Sequence, residues 1–150
     1  MRYEPQEDSF LIQKYVKKHA HGIVLDMGTG SGILAKEAAA LAKVKKVIAL
    51  DVQREIIHER INEKQSSKIA YAVSDLFSSL KKKDICFDTI LFNPPYLPTD
   101  PQLKDLTVDG GKKGYEVIER FFRDVQTFLA KKGKILLVFS SLTGKKKVDS

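Results

Sequence analysis

Apolar and polar positions along the chain change period several times, and each change predicts an element. Residues 9–19, SFLIQKYVKKH, follow two acids and place Phe10, Leu11, Tyr15 and Val16 largely on one side, as an amphipathic helix does. IVLD at 23–26 is a short apolar run closed by an acid, read as a strand. GILAKEAAALAK at 32–43 is an alanine-rich helix, and KVIALD at 46–51 is a second apolar strand ending in Asp. REIIHERINEK at 54–64 has amphipathic helical spacing, KIAYAVSD at 68–75 reads as a strand, and FDTILF at 87–92 as a fourth. From 115 to 131, Val117, Ile118, Phe121, Phe122, Val125, Phe128 and Leu129 fall at i, i+4, i+8 spacing, a stripe expected to face the core. Gly133 is expected to end that helix, and KILLVFSS at 134–141 to form a fifth strand.

Four of these strands are continuous apolar runs rather than alternating ones, which is how parallel strands covered on both faces read. Strand–helix alternation then predicts one α/β domain over residues 1–150, a doubly wound, mainly parallel sheet with right-handed crossovers. No repeat, low-complexity tract or linker interrupts the pattern.

Composition changes this picture little. The chain is 43% hydrophobic and 30% charged, and no apolar run approaches the ~20 residues of a membrane span. The opening MRYEPQEDSF has acids and no apolar stretch, so no targeting peptide and no membrane partner are expected, and the reading is cytoplasmic. Cys86 is the one cysteine, and CxxC and HxxxH pairs are absent, so no disulfide within the chain and no metal are expected. Cys86 reads as a buried core thiol, and His19, His21 and His58 as surface or packing residues. The net charge of +7 comes from lysines at 43–46, 81–83, 131–134 and 145–147, mostly where loops are expected. Without interleaved aromatics or arginines, these read as solvated charge rather than a nucleic-acid groove.

Chemistry enters at the strand ends. VLDMGTGSGILA sets Asp26, Gly28, Gly30 and Gly32 across the first strand-to-helix turn in D-x-G-x-G-x-G spacing, unlike the G-x-G-x-x-G that seats a dinucleotide pyrophosphate. Glycine serves where the backbone takes positive φ or a ligand comes close. Asp51 ends the second strand, where a carboxylate can accept both hydroxyls of a ribose. Asp75 closes the third and could accept from an adenine amino group, with the Leu76 N–H meeting a ring nitrogen. Each acid could instead cap the following helix; three of them, with the glycines, point to a nucleoside site at the carboxyl edge of the sheet.

The fourth strand delivers Asn93-Pro94-Pro95-Tyr96 to that edge. A planar amino group, whether carboxamide or adenine amine, is a poor nucleophile because its lone pair is delocalised. Two acceptors on its N–H bonds would hold it in one orientation. The Asn93 side-chain carbonyl and the Pro94 backbone carbonyl can be those acceptors, the second aimed by the locked φ of the prolines, while Tyr96 offers a ring face.

Taken together, NPPY, the glycine loop, Asp51, Asp75 and the leading YEPQEDSFL resemble class I S-adenosylmethionine-dependent methyltransferases. Within them the chain resembles the HemK-like enzymes that methylate the glutamine of the GGQ motif in translation release factors. GGKKGYEVIERFF at 110–122 brings it nearest the eukaryotic and archaeal branch. The resemblance implies S-adenosyl-L-methionine as cofactor and S-adenosyl-L-homocysteine as product. Asp26 and Gly28, with Gly30 in the same loop, would lie at the methionine part and Ser9 near its carboxylate; Asp51 would hold ribose, and Asp75 and Leu76 adenine. Asn93, Pro94, Pro95 and Tyr96 would take the substrate amide, with Tyr3, Glu4 and Pro5 closing over the site. It also implies strand order 3-2-1-4-5 with a heterodimer partner, a small zinc-binding activator subunit, added to the edge strand at 68–73 through Ile69, Tyr71 and Val73. The fold normally carries two further strands after the fifth, so the fifth is expected as an edge here. An adenine-N6 methyltransferase acting on DNA or RNA is the alternative, since NPPY and positive charge suit it too.

Overall fold

The computed structural model describes residues 7–63, 66–81, 85–92 and 116–137, and of residues 7–12 the backbone alone. The elements run α1 (Glu7–His19), β1 (Gly22–Met27), α2 (Ile33–Ala39), β2 (Val44–Asp51), α3 (Arg54–Ile61), β3 (Ile69–Val73), β4 (Phe87–Phe92), α4 (Glu116–Phe128) and β5 (Leu129–Leu137). All four strand pairings are parallel, in the order β3-β2-β1-β4-β5. The expected α/β sheet and its strand order are what forms.

The unbroken apolar strands follow from two cores. Side chains alternate across a strand, so Val24, Val47, Ala49 and Leu91 enter one core with Val16 of α1 and Leu34, Ala35 and Ala38 of α2. Leu25, Met27, Leu50, Ile90 and Phe92 enter the other, beneath Phe121, Val125 and Phe128 of α4. Phe77, from the turn after β3, stacks on Phe128 at 4.9 Å, and Phe92 on Phe121 at 4.2 Å. Phe121 is fully buried; cutting such a ring back to Ala costs about 3–5 kcal/mol.

Several expectations fail locally. The second helix ends at Ala39 rather than 43, because Leu41 and Val44 N–H groups turn back to Ala38 and Leu41 carbonyls and β2 starts at Val44. The third helix ends at Ile61, and α4 at Phe128 rather than 131. Gly133 does not cap α4 but lies inside β5. Leu129 sits opposite Phe87 and Lys134 opposite Thr89, so 130–133 bulge past Asp88. A Cβ on Gly133 would fall 2.6 Å from Leu129 Cδ1 and 2.9 Å from the Phe87 carbonyl, and this close passage is why glycine stands there. Phe122 leaves the expected stripe, 44% exposed and edge-on to Phe121. Tyr15 likewise turns outward, and Cys86 is exposed rather than a core thiol. His21 packs as expected, its N–H donating to the Thr89 hydroxyl at 3.1 Å.

β3 is an edge strand among the described residues; of the three residues expected at its partner contact, Val73 is exposed, while the other two face inward. Ile69 is buried in the α2-side core, and Tyr71 packs against that core. The outward positions are Ala70, Ala72 and Val73. The residues at 138–141, expected to continue β5, lie outside the described set.

Candidate active site

The carboxyl ends of β1, β2 and β3 sit side by side, since Met27 pairs with Leu50 and Asp51 with Val73. Asp26, Asp51 and Asp75 therefore share one edge. The capping alternative fails for the first two: the N-cap residues of α2 and α3 are Gly32 and Gln53, and neither cap uses a side chain.

What the acids do instead is shape the loop. Asp26 is buried, and its Oδ2 accepts the Thr29 hydroxyl at 2.7 Å. Burial pushes the Asp26 carboxyl up to about 7; the Thr29 hydrogen bond opposes this, and the nearby Asp51 charge adds to it. Asp51 accepts the Gly30 N–H at 3.0 Å on one oxygen and the Gln53 N–H at 2.9 Å on the other. Its carboxyl too is raised, by burial, with those hydrogen bonds opposing. Each carboxylate oxygen has two lone pairs, so Asp51 keeps acceptor capacity for hydroxyls while fastening the loop. Gly28 and Thr29 donate to the Leu50 carbonyl at 2.9 and 2.8 Å.

Gly28, Gly30 and Gly32 all take positive φ, at 74°, 52° and 81°. A Cβ on Gly30 would meet no protein atom within 4 Å, so that glycine faces open space. Gly32 is crowded instead: a Cβ would meet the Tyr71 hydroxyl at 3.1 Å and Arg60 Cδ at 3.3 Å.

Arg60 is a positioning residue that sequence reading missed. Its guanidinium is buried, donates from Nη1 to the Ser31 carbonyl at 2.7 Å, and from Nη2 reaches Glu59 at 3.2 Å and Glu63 at 3.4 Å. It thus ties α3 to the far side of the glycine loop. In HERINEK it reads as one more charged residue on a wet helix face; only the helix packing against β3 reveals it. Burial, with Asp26 and Glu63 nearby, pushes the Tyr71 hydroxyl up to about 12.

At the third strand Leu76 has φ 51°, rare for a branched side chain. Ser74 holds it there, donating its hydroxyl to the Leu76 carbonyl at 2.6 Å and accepting the Ser79 N–H at 3.1 Å. An unusual backbone over-determined by its surroundings is a feature of binding sites. Asp75 is exposed, and its Oδ2 meets Arg120 of α4 at 2.9 Å, which leaves the other oxygen to accept. Arg120 was also missed, since nothing local links positions 75 and 120.

Ser9 lies in α1 with its side chain outside the described set. Asn93, Pro94, Pro95 and Tyr96, like Tyr3, Glu4 and Pro5, lie outside the described residues. β4 ends at Phe92 beside Met27, at the same edge. Among the described residues no group of three His, Cys, Asp or Glu could hold a metal.

This edge offers buried carboxylates, a loop of positive-φ glycines that is open at Gly30, and a braced turn at Leu76. A compound with a cationic amino-acid end, a ribose diol and a flat base has the matching donors. The methyltransferase small domain family matches residues 6–148. The chain belongs to that family. It is a class I S-adenosylmethionine-dependent methyltransferase of the HemK-like group, as its motifs resembled.

A Methanocaldococcus jannaschii relative, provisionally named a protein N5-glutamine methyltransferase, is 37% identical over 96% of this chain and 75% of its own length. A Koribacter versatilis protein named release factor glutamine methyltransferase is 32% identical over 76% of this chain and 45% of its own. Among solved structures, a ribosomal protein L11 methylase from Lactobacillus delbrueckii subsp. bulgaricus aligns over 99% of this chain and 68% of its own, with TM-score 0.70 and 20% identity, a likeness of fold. The methyltransferase's donor is S-adenosyl-L-methionine. The chemistry of this edge fits it: carboxylate acceptors suit a cationic end and a diol, the turn is open at Gly30, and a braced turn beside Asp75 suits a flat base. When bound it supplies an electrophilic methyl group; the chain supplies orientation and charge.

Proposed function

We propose that this methyltransferase modifies the side-chain amide nitrogen of a glutamine, in the GGQ motif of a translation release factor. The supporting observation is the archaeal relative, alike over 96% of this chain and named for glutamine N5 methylation; the bacterial relative's name adds the release factor. In this reading Asn93 and the Pro94 carbonyl accept the two amide N–H groups, Pro95 stiffens the turn and Tyr96 stacks on the amide plane. The nitrogen–carbon bond forms as the sulfur–carbon bond breaks, and the amide loses one proton to solvent. Positioning, which can supply several kcal/mol of barrier lowering, carries the rate, without a strong base.

The activator subunit belongs to the same reading. Among the described residues no strand pairs with the outer edge of β3, where Ala70, Ala72 and Val73 are exposed, and an open apolar edge invites a strand from another chain. A small zinc-binding subunit would extend the sheet there, giving a heterodimer that works in the cytoplasm, where release factors act. No helix among the described residues is long and apolar enough to cross a membrane.

Mass spectrometry of a release factor incubated with the enzyme, its activator and S-adenosyl-L-methionine tests this, with an adenine oligonucleotide in the same tube. One methyl on the GGQ glutamine and an unmodified oligonucleotide is the expected result; methyl on adenine alone would replace this reading by the adenine-N6 one.

A further inference from the structure

The amino ends of the strands carry charge of the opposite sign. α1 ends there with Lys17 and Lys18, Lys43 precedes β2, and Lys134 pairs with Thr89 in the first half of β4; all are exposed. They come from three stretches of sequence, yet they converge. Lys43 Nζ donates to the Lys18 carbonyl at 2.8 Å, and Lys134, Lys18 and Lys43 all lie close enough to His19 that their charges, after partial desolvation, hold its imidazole below the ordinary value. The acids that approach are engaged: Glu37 faces Lys17 at 3.9 Å, and Asp88 accepts the Ile23 N–H at 2.8 Å.

An aromatic sits within this charge. Tyr15, 49% exposed, stacks on His19 with ring planes 11° apart and centroids 6.1 Å apart. The lysine runs at 43–46 and 131–134 lack aromatics in sequence; α1, which carries Lys17 and Lys18, supplies one. An exposed aromatic face ringed by flexible cations is the arrangement that holds unpaired bases by stacking and their phosphates by charge.

We infer that this edge, formed by Tyr15 and His19 with Lys17, Lys18, Lys43 and Lys134, docks single-stranded nucleic acid. β1 has six residues, so the docking edge lies about 20 Å from the cofactor edge. The bound strand is therefore a tether and not the group that is methylated, and the catalytic edge stays free.

The test is fluorescence anisotropy with the whole chain and a labelled oligoadenylate RNA, at about 50 mM salt and above. Binding should weaken with salt, with a log–log slope near −3 for about four phosphates neutralised. Lys18→Glu with Lys134→Glu should weaken it at least ~30-fold, and Tyr15→Ala alone ~5- to 100-fold, as loss of one stacked base does. Melting temperature and S-adenosyl-L-homocysteine binding should not move; if the Lys134 variant misfolds, Lys18→Glu with Lys43→Glu serves in its place. Absence of binding by the wild type overturns the inference, as does binding indifferent to charge reversal. Equal affinity for a duplex with no effect of Tyr15→Ala overturns the single-strand reading, and displacement by polyglutamate at equal affinity would assign the edge to an acidic protein.

Discussion

At one end of the sheet stand Asp26, Asp51 and Asp75; at the other stand Lys18, Lys43, Lys46, Lys68 and Lys134. A common cause acts on both. In a parallel α/β sheet each helix starts near a strand's carboxyl end and finishes near the next strand's amino end. N–H groups thus collect at one edge and carbonyls at the other. Asp51 takes Gly30 and Gln53 N–H groups, and Lys68 Nζ donates to Leu41 and Val44 carbonyls at 3.0 and 2.8 Å. The edges differ in burial. Asp26 and Asp51 are buried and their carboxyls are raised by it, whereas Lys18, Lys43, Lys46 and Lys134 are exposed and Lys68 is half-buried on its two carbonyls. Charge at the carboxyl edge therefore costs stability, while charge at the amino edge is nearly free.

The largest effects that could break this contrast are at the carboxyl edge. Asp26→Asn should stabilise the ligand-free protein by a few kcal/mol at pH 8, on the order set by a carboxyl raised from 3.8 to about 7, while weakening S-adenosyl-L-homocysteine binding. The sign follows from a folded value above the unfolded one: Asp26 supports folding fully below pH 3.8, and that support is lost as pH rises through about 7. Urea unfolding of wild type and variant should therefore coincide near pH 3.8 and diverge toward neutrality. Coincidence at every pH would show that Asp26 carries no penalty. Asp51→Ala comes next, with cofactor-product affinity falling about 10- to 100-fold in calorimetry as a charged acceptor is lost.

Arg60 sharpens the contrast because it is a buried cation at the acidic edge. Arg60→Met should raise the KM for S-adenosyl-L-methionine about tenfold through lost aim of the Ser31 carbonyl, with kcat nearly unchanged and partial rescue by Arg60→Lys. A fall in melting temperature with KM unmoved would make it merely structural. Ser74→Ala should cost about 1 kcal/mol by releasing the Leu76 turn, read as a lower urea midpoint. Smallest is Lys43→Met at the amino edge, expected to cost at most about 0.5–1 kcal/mol and leave cofactor binding untouched.

The first four strands, the parallel pairing and the three edge acids were legible because they rest on local signals: unbroken apolar runs, an acid at the end of the first three, glycines in one turn. What escaped depends on contacts between distant segments. Arg60 and Ser74 look like ordinary polar residues until α3 and the Leu76 turn are placed. Gly133 reads as a helix stop because the crowding that demands it comes from Phe87 across the sheet. Phe122 fits a helical stripe by spacing, yet the helix face is narrower than the stripe and leaves it exposed. The lysine runs read as scattered loops, and only the topology shows two of them meeting the end of α1 at His19.

The central claim is that the carboxyl edge binds the methyl donor while the chain at Asn93 orients a glutamine amide. Asn93→Ala tests it most directly, with methyl transfer to the release factor and S-adenosyl-L-homocysteine affinity measured on the same sample. The account predicts transfer reduced at least ~100-fold, as removal of a fixed polar group in a reacting site produces, with affinity within about twofold of wild type. Transfer at the wild-type rate in that variant would contradict it.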